Sequence, residues 1–268
     1  MTSGDYVHGY TERESDRLLD QANALTELLH RDTRFPAGAL VLEPGCGVGA
    51  QTVTLAANSP LSIILSVDTS MPSLTAARRR VHDARLTNVM FSQMNVYTLP
   101  FQPETFEGVF VCFLLEHLSV PDDALWQLKR VLRTGGTITV IEGDHGSAYF
   151  HPNNAAAHRA IACLIKLQAK AGGNSLIGRE LYPLLASVGF RDITVSPRMV
   201  YVDANRPDLI EGFTLNTFTA MVEGVRDQAL AAGLIDEATW EEGINALRRT
   251  AAIDGTFCYT FFKAVGRK

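Results

Sequence analysis

The feature that most constrains this chain is the run Val41-Leu42-Glu43-Pro44-Gly45-Cys46-Gly47-Val48-Gly49. An apolar stretch, Ala39 to Leu42, ends in a carboxylate; three alternating glycines follow, and a helical pattern runs from residue 50 to 58. A strand, a tight loop and a helix in that order need glycine where the backbone turns sharply or approaches a ligand with no Cβ in the way. Further along, strands are predicted over 61–67, 88–95, 106–113 and 137–141, with helices over 71–85 and from Pro121 to about 132. The last of these helices passes through a turn at Gly135-Gly136 into the fifth strand. Such alternation implies a parallel sheet that binds ligands at the C-terminal ends of its strands.

The loop admits two readings. Gly45-x-Gly47-x-x-Ala50 fits the dinucleotide fingerprint, and Asp68, at the end of the second strand, lies near the offset of a ribose-binding acid. That reading leads to an NAD-dependent oxidoreductase. Glu43 opposes it, because a carboxylate directly before the loop repels a pyrophosphate and favours a cationic ligand without phosphate. The pattern E-x-G-x-G-x-G resembles motif I of class I S-adenosylmethionine (SAM) dependent methyltransferases, whose acid helps to place the methionine moiety. Asn95-Val96-Tyr97-Thr98-Leu99-Pro100-Phe101 resembles the "D-A-x-x-L-P-F" stretch of small-molecule members, of the kind found in ubiquinone and menaquinone biosynthesis. Asn95 stands where the family has Asp, and its amide carbonyl still offers an acceptor for the adenine amino group. Leu114-Leu115-Glu116-His117-Leu118 resembles the family's "x-L-E-H-L", a structural turn lining the cofactor. After a sixth strand over 190–202, the aromatic segment 255–266 resembles the antiparallel seventh strand that closes that fold.

The resemblance implies a Rossmann-like α/β fold: a seven-stranded, mostly parallel sheet with an antiparallel last strand, plus helical cap insertions at about 146–176 and 204–252. It implies a single domain, 1–268, with an N-terminal helix and lid over 1–30. SAM, leaving as S-adenosylhomocysteine (SAH), would contact Glu43, Gly45, Cys46, Gly47, Gly49, Asp68, Thr69, Asn95 and Val96. Asp68 would take the ribose hydroxyls. Tyr6, His8 and Tyr10 precede a capping box, Thr11-x-x-Glu14, and Tyr10 is the lid residue assigned to the cofactor.

Methyl transfer is an in-line displacement, so a protein must align the acceptor, exclude water and accept a proton where one is lost. The segment 142–151 is expected to leave the fifth strand as a loop at the place where acceptors bind. His145 in it is the candidate base, since histidine ordinarily titrates nearest neutrality. Tyr149, His151, Arg198 and Tyr201 are the further acceptor-side candidates. Glu142, Asp144 and His145 lack a further acid at clear spacing, so no metal is expected.

A net charge of −5 argues against a sequence-independent grip on nucleic acid. Arg78-Arg79-Arg80 accordingly reads as a solvated helix face. Neither a "D/N-P-P-Y" nor a Pro-Cys nucleophile is present, which leaves a small metabolite as the acceptor. The four cysteines stand singly, as reduced thiols would. With no apolar signal core and no run of roughly 18 apolar residues, a cytoplasmic protein without membrane association is expected. A homo-oligomer, a catalytically silent SAM-binding scaffold and a C-methylating enzyme for terpenoid or prenyl acceptors stay open.

Overall fold

The computed structural model describes residues 25–268. Tyr6, His8, Tyr10 and the capping box lie outside the described residues. The strands are β1 (Leu40–Pro44), β2 (Ile63–Asp68), β3 (Val89–Gln93), β4 (Phe106–Cys112), β5 (Leu132–His151), β6 (Arg191–Val202) and β7 (Thr256–Arg267). Helices are α1 (25–30), α2 (Ala50–Asn58), α3 (Met71–Asp83), α4 (Pro121–Val131), α5 (Ala155–Lys170) and α6 (Leu181–Ser187). After β6 come α7 (Pro207–Leu209), a π-helix (Ile210–Thr219), α8 (Ala220–Glu223), α9 (Arg226–Ala231) and α10 (Glu237–Arg249). The chain forms two compact units. A sheet unit comprises Leu29–Glu142, Ile177–Pro197 and Phe262–Lys268, and a helical unit comprises 25–28, Gly143–Leu176 and Arg198–Phe261 of the described residues.

All seven strands contribute to the sheet unit, in the order β3-β2-β1-β4-β5-β7-β6. The pairs β1–β2, β1–β4, β2–β3 and β4–β5 are parallel, with Val41 opposite both Ile64 and Gly108. At the other end of the order, Gly135 N–H donates to the Lys268 carbonyl and Lys268 N–H to that of Gly136. The last residues of β7 thus meet the first of β5, so β7 runs antiparallel. Buried parallel strands need apolar side chains on both faces, which is why β1 and β4 read as nearly unbroken apolar runs. α4 follows the helical period: Ala124, Leu125, Leu128 and Val131 are fully buried, against Val109, Val111, Ile138, Leu181 and Phe190 of one core.

Two glycines of the loop serve different purposes. Gly49 has φ +78°, and a Cβ there would sit 2.9 Å from the Ala77 Cβ, so it lets α2 and α3 approach. Gly47 has φ +52°, but a Cβ there would meet nothing within 4 Å among the described residues. A left-handed conformation costs a non-glycine residue about 1–2 kcal/mol, and an added methyl in tight packing about 1–3 more. Gly49→Ala is therefore expected to destabilise by about 2–5 kcal/mol and Gly47→Ala by about 1–2 kcal/mol. Urea unfolding of the two variants reads the difference, and equal midpoints would mean that helix approach is not what requires Gly49.

The fifth strand departs from the sequence reading at both ends. Gly135-Gly136 is not a turn before the strand but an irregularity within it. Phe106 pairs with Leu132 and Gly108 with Thr137, so two steps along β4 match five along β5. Gly135, at φ +80°, accommodates the excess. At the other end, 142–151 is strand and not the expected loop. The Ser147 hydroxyl accepts from the Thr260 backbone N–H at 2.9 Å, an alignment supplied by β7 that local sequence does not carry.

In the helical unit, α5 is capped by Asn154, which accepts from Ala157 N–H, and α10 by Asp236, which accepts from Thr239 N–H. α10 packs closely on α5 at Gly243, where a Cβ would lie 2.6 Å from the Ala156 carbonyl oxygen. The first half of the helical insertion expected over about 204–252 is divided into α7, the π-helix, α8 and α9. Thr217 and Thr219 hydroxyls donate back to the carbonyls of Gly212 and Thr214, five residues earlier, in keeping with the widened π turn. Phe213, Phe218, Phe257, Tyr259 and Phe261 are each at most 2% exposed and pack edge to face or tilted as a buried aromatic cluster.

Candidate active site

In the sheet unit, the chain leaves β1 and turns through Gly45, Gly47 and Gly49, all at positive φ. Gly45 and Cys46 N–H groups donate to the Val67 carbonyl at 2.7 and 3.1 Å, which fixes the loop to the end of β2. The Arg80 guanidinium donates to the Val48 carbonyl. Arg78 donates to the Phe91 carbonyl at 3.3 Å and lies over that ring, while Arg79 faces solvent with Asp83. Arg78 and Arg79 are exposed, as expected of a solvated face, and Arg80 is half-buried; a guanidinium's reach lets Arg78 and Arg80 also tie β3 and the loop to α3.

Asp68 ends β2. Its Oδ2 accepts from Gly47 N–H and its Oδ1 from Ser70 N–H, both at 2.8 Å. Each carboxylate oxygen keeps a second lone pair, so Asp68 both holds the glycine loop and retains acceptor capacity. Thr69 beside it is exposed, and its carbonyl accepts from Gln93 Nε2 at 2.8 Å. Asn95 is exposed and caps the 3-10 turn Val96–Thr98, its carbonyl accepting from Tyr97 N–H at 2.9 Å. That carbonyl, proposed from sequence as an adenine acceptor, is therefore already engaged once; Val96 after it is buried.

Glu43, only 3% exposed, accepts from the hydroxyls of Ser66 at 2.5 Å and Thr52 at 2.8 Å through Oε2. Burial pushes its carboxyl up to about 7; the two hydroxyls offset part of the rise and Asp68 adds to it. The Cys46 thiol is held up by burial first and by Glu43 and Asp68 next, so it is not a thiolate nucleophile. Glu116 and His117 form a contact of 3.6 Å in the turn after β4.

Every acceptor-side candidate belongs to the helical unit. His145 is 5% exposed, and its Nδ1 lies 2.8 Å from Tyr259 Oη. Gly143 makes room for that hydroxyl, which occupies the space a Cβ would take. Tyr149 is 55% exposed and its hydroxyl donates to Met199 Sδ at 3.3 Å; His151 is exposed. Arg198 is buried and donates to the Leu28 carbonyl at 3.2 Å, whereas Tyr201 is 44% exposed. Three residues apart on one strand they point to opposite faces, so they cannot line one surface together. Among the described residues no group of three or more His, Cys, Asp or Glu side chains is arranged to hold a metal ion, and no helix is long and apolar enough to cross a membrane.

Sequence reasoning missed Glu142. It is wholly buried, and its Oε1 accepts from Leu114 N–H at 3.0 Å and Leu115 N–H at 2.7 Å. An acid closing an apolar strand was its only signal.

Residues 42–140 match the family described as Methyltransferase domain. An uncharacterized 37.1 kDa protein in transposon TN4556 of Streptomyces fradiae is 31% identical over 189 residues, covering 70% of this chain and 54% of that protein. Methyltransferase GfsG of Streptomyces halstedii is 30% identical over 142 residues, 52% of this chain and 51% of the relative. The chain spans about half the length of the curated relatives it matches. The YcgJ protein of Bacillus subtilis superposes with a TM-score of 0.59 over 92% of this chain and 98% of its own, at 15% identity, and shares the fold. In strand order, glycine loop and strand-end acid, residues 42–140 resemble a methyltransferase domain of the class I SAM-dependent kind.

Proposed function

We propose that the protein transfers a methyl group from SAM to a small-molecule acceptor and releases SAH. The observation that carries this reading is the loop between β1 and α2: open space over Gly47, with the Asp68 carboxylate fixed against Gly47 N–H beside it. β1 and β4 are neighbours in the sheet although β2 and β3 intervene in sequence, and ligands of such sheets bind at that switch point. The donor set suits SAM. Its ribose offers hydroxyls to Asp68 and Thr69, its adenine meets Asn95 and Val96, and its methionine end carries cationic charge toward the Glu43, Gly45, Cys46, Gly47 and Gly49 segment. Tyr10 is retained as the lid contact.

SAM supplies a methyl group on a sulfonium centre that needs no further activation. The chain's own part is to hold the cofactor, orient the acceptor, exclude water and accept a proton where the acceptor loses one. His145 is proposed for that last role, with Arg198 or the Tyr149, His151 and Tyr201 group contacting the acceptor. Titration calorimetry should give binding by SAM and by SAH and none by NAD. Tight binding of NAD, or no binding of either SAM or SAH, would overturn the reading.

A further inference from the structure

The sheet unit contains two deeply buried carboxyls at the ends of strands on either side of β4. Glu43 lies on β1, and Glu142 follows Ile141, which pairs with Cys112 at the end of β4. The hydrogen bonds to Glu43 come from two hydroxyls, and those to Glu142 from backbone N–H groups. Neither set includes Lys, Arg or His. The Glu142 side chain is wholly inaccessible, and its Oε2 has no hydrogen-bond partner among the described residues. A buried acceptor left so costs about 1–3 kcal/mol, more if ionised, and calls for an explanation. Leu114, whose N–H holds Glu142 Oε1, also lays its side chain against Gly45, where a Cβ would lie 2.7 Å from Leu114 Cδ1. Glu142 is therefore joined to the glycine loop through a single residue.

We propose that Glu142, together with Glu43, reads the charge of the cofactor, so that the site holds sulfonium-bearing SAM more tightly than neutral SAH. The inference rests on the proposed methyl transfer. In that reaction the sulfonium becomes a thioether while the acceptor loses a proton, so the positive charge leaves the cofactor. Two carboxyls that no Lys, Arg or His among the described residues hydrogen-bonds gain from a cationic ligand and lose that gain on turnover, which favours product release. Burial and then Glu116 raise the Glu142 carboxyl well above its ordinary range, as burial does for Glu43, so each is easily neutralised when no cation faces it. Among the described residues, the ionisable groups in their field include Asp68 beside Glu43, Glu116 with its neighbour His117 beside Glu142, and Cys112 and Lys263. Lys263 is committed to Asp32 at 2.7 Å and Thr33 Oγ1 at 2.6 Å.

The test compares three ligands by calorimetry at pH 8: SAM, SAH, and sinefungin, which carries an ammonium group where SAM has its methyl sulfonium. Glu142→Gln keeps an oxygen for the Leu114 and Leu115 N–H groups. It should weaken SAM and sinefungin about tenfold more than SAH, the scale of one modest charge interaction. In the wild-type protein the preference for SAM over SAH should shrink as the pH falls through about 7, to which burial raises the Glu43 carboxyl, because protonation removes its negative charge. Equal weakening of all three ligands, or a pH-independent preference, would reduce Glu142 to a structural tie for the turn after β4. Should the variant fail to fold, the wild-type pH series decides alone. If neither SAM nor SAH binds the wild-type protein, the methyl-transfer reading itself falls.

Discussion

Asp68→Ala is expected to weaken SAM binding by about 2–3 kcal/mol, roughly 30- to 150-fold, the scale for losing charge-assisted hydrogen bonds. Two losses combine. The ribose loses its acceptor, and the N–H groups of Gly47 and Ser70 lose the carboxylate that each now meets at 2.8 Å. Alanine leaves both donors to water, so the glycine loop is no longer held in its binding conformation. Asp68→Asn separates the effects. One of the two N–H groups keeps a carbonyl partner while the other faces an amide N–H, so affinity should fall between wild type and Asp68→Ala. SAM and SAH should weaken together, because the ribose is common to both, which distinguishes this residue from Glu142. An Asp68→Ala protein that folds and binds SAM as before would leave Asp68 as a tie for the loop and the start of α3 only.

What could be read from sequence was local. The glycine spacing, the apolar strands and the end of β2 lie within 30 residues of one another, α2 occupies the very residues expected, Ala50–Asn58, and α5 falls within the helical insertion expected over about 146–176. The parallel sheet followed from the βα alternation, and the antiparallel last strand from the resemblance carried by the closing aromatic segment. What failed to show was set at long range. The segment 142–151, expected as a loop, lies in β5, and the bond from Thr260 N–H to Ser147 spans 113 residues. The face of Arg198 was likewise unreadable, because strand period says that it and Tyr201 differ without saying which is inward. Glu142 looked like the end of a strand. Its significance depends on the N–H groups of Leu114 and Leu115, which β4 delivers from 27 and 28 residues earlier.

His145→Ala is expected to lower kcat at least about a hundredfold while leaving SAM affinity unchanged, since loss of a general base costs 10²–10⁴-fold in rate. The side chain sits against a fixed partner, with Nδ1 2.8 Å from Tyr259 Oη, and the tautomer decides what it can do. If Nδ1 carries the hydrogen and donates to the tyrosine oxygen, Nε2 is left with a lone pair and can accept a proton. If the tyrosine donates to Nδ1, Nε2 carries the hydrogen and can only donate. Tyr259→Phe removes the hydroxyl and leaves the ring in the cluster with Phe213, Phe218 and Phe261. As a base, His145 then loses its orienting acceptor, and kcat should fall less than in His145→Ala but without a change in the KM for SAM. As a donor that merely orients the acceptor, it should show a higher acceptor KM in both variants with kcat nearly kept, because positioning can be lost more cheaply than proton transfer. Gly143→Ala provides the packing control: its Cβ displaces the Tyr259 hydroxyl without touching the imidazole chemistry, so it should reproduce the Tyr259→Phe rate along with a lower Tm. Normal turnover by His145→Ala would remove the histidine from the reaction and leave it as a buried member of the aromatic cluster.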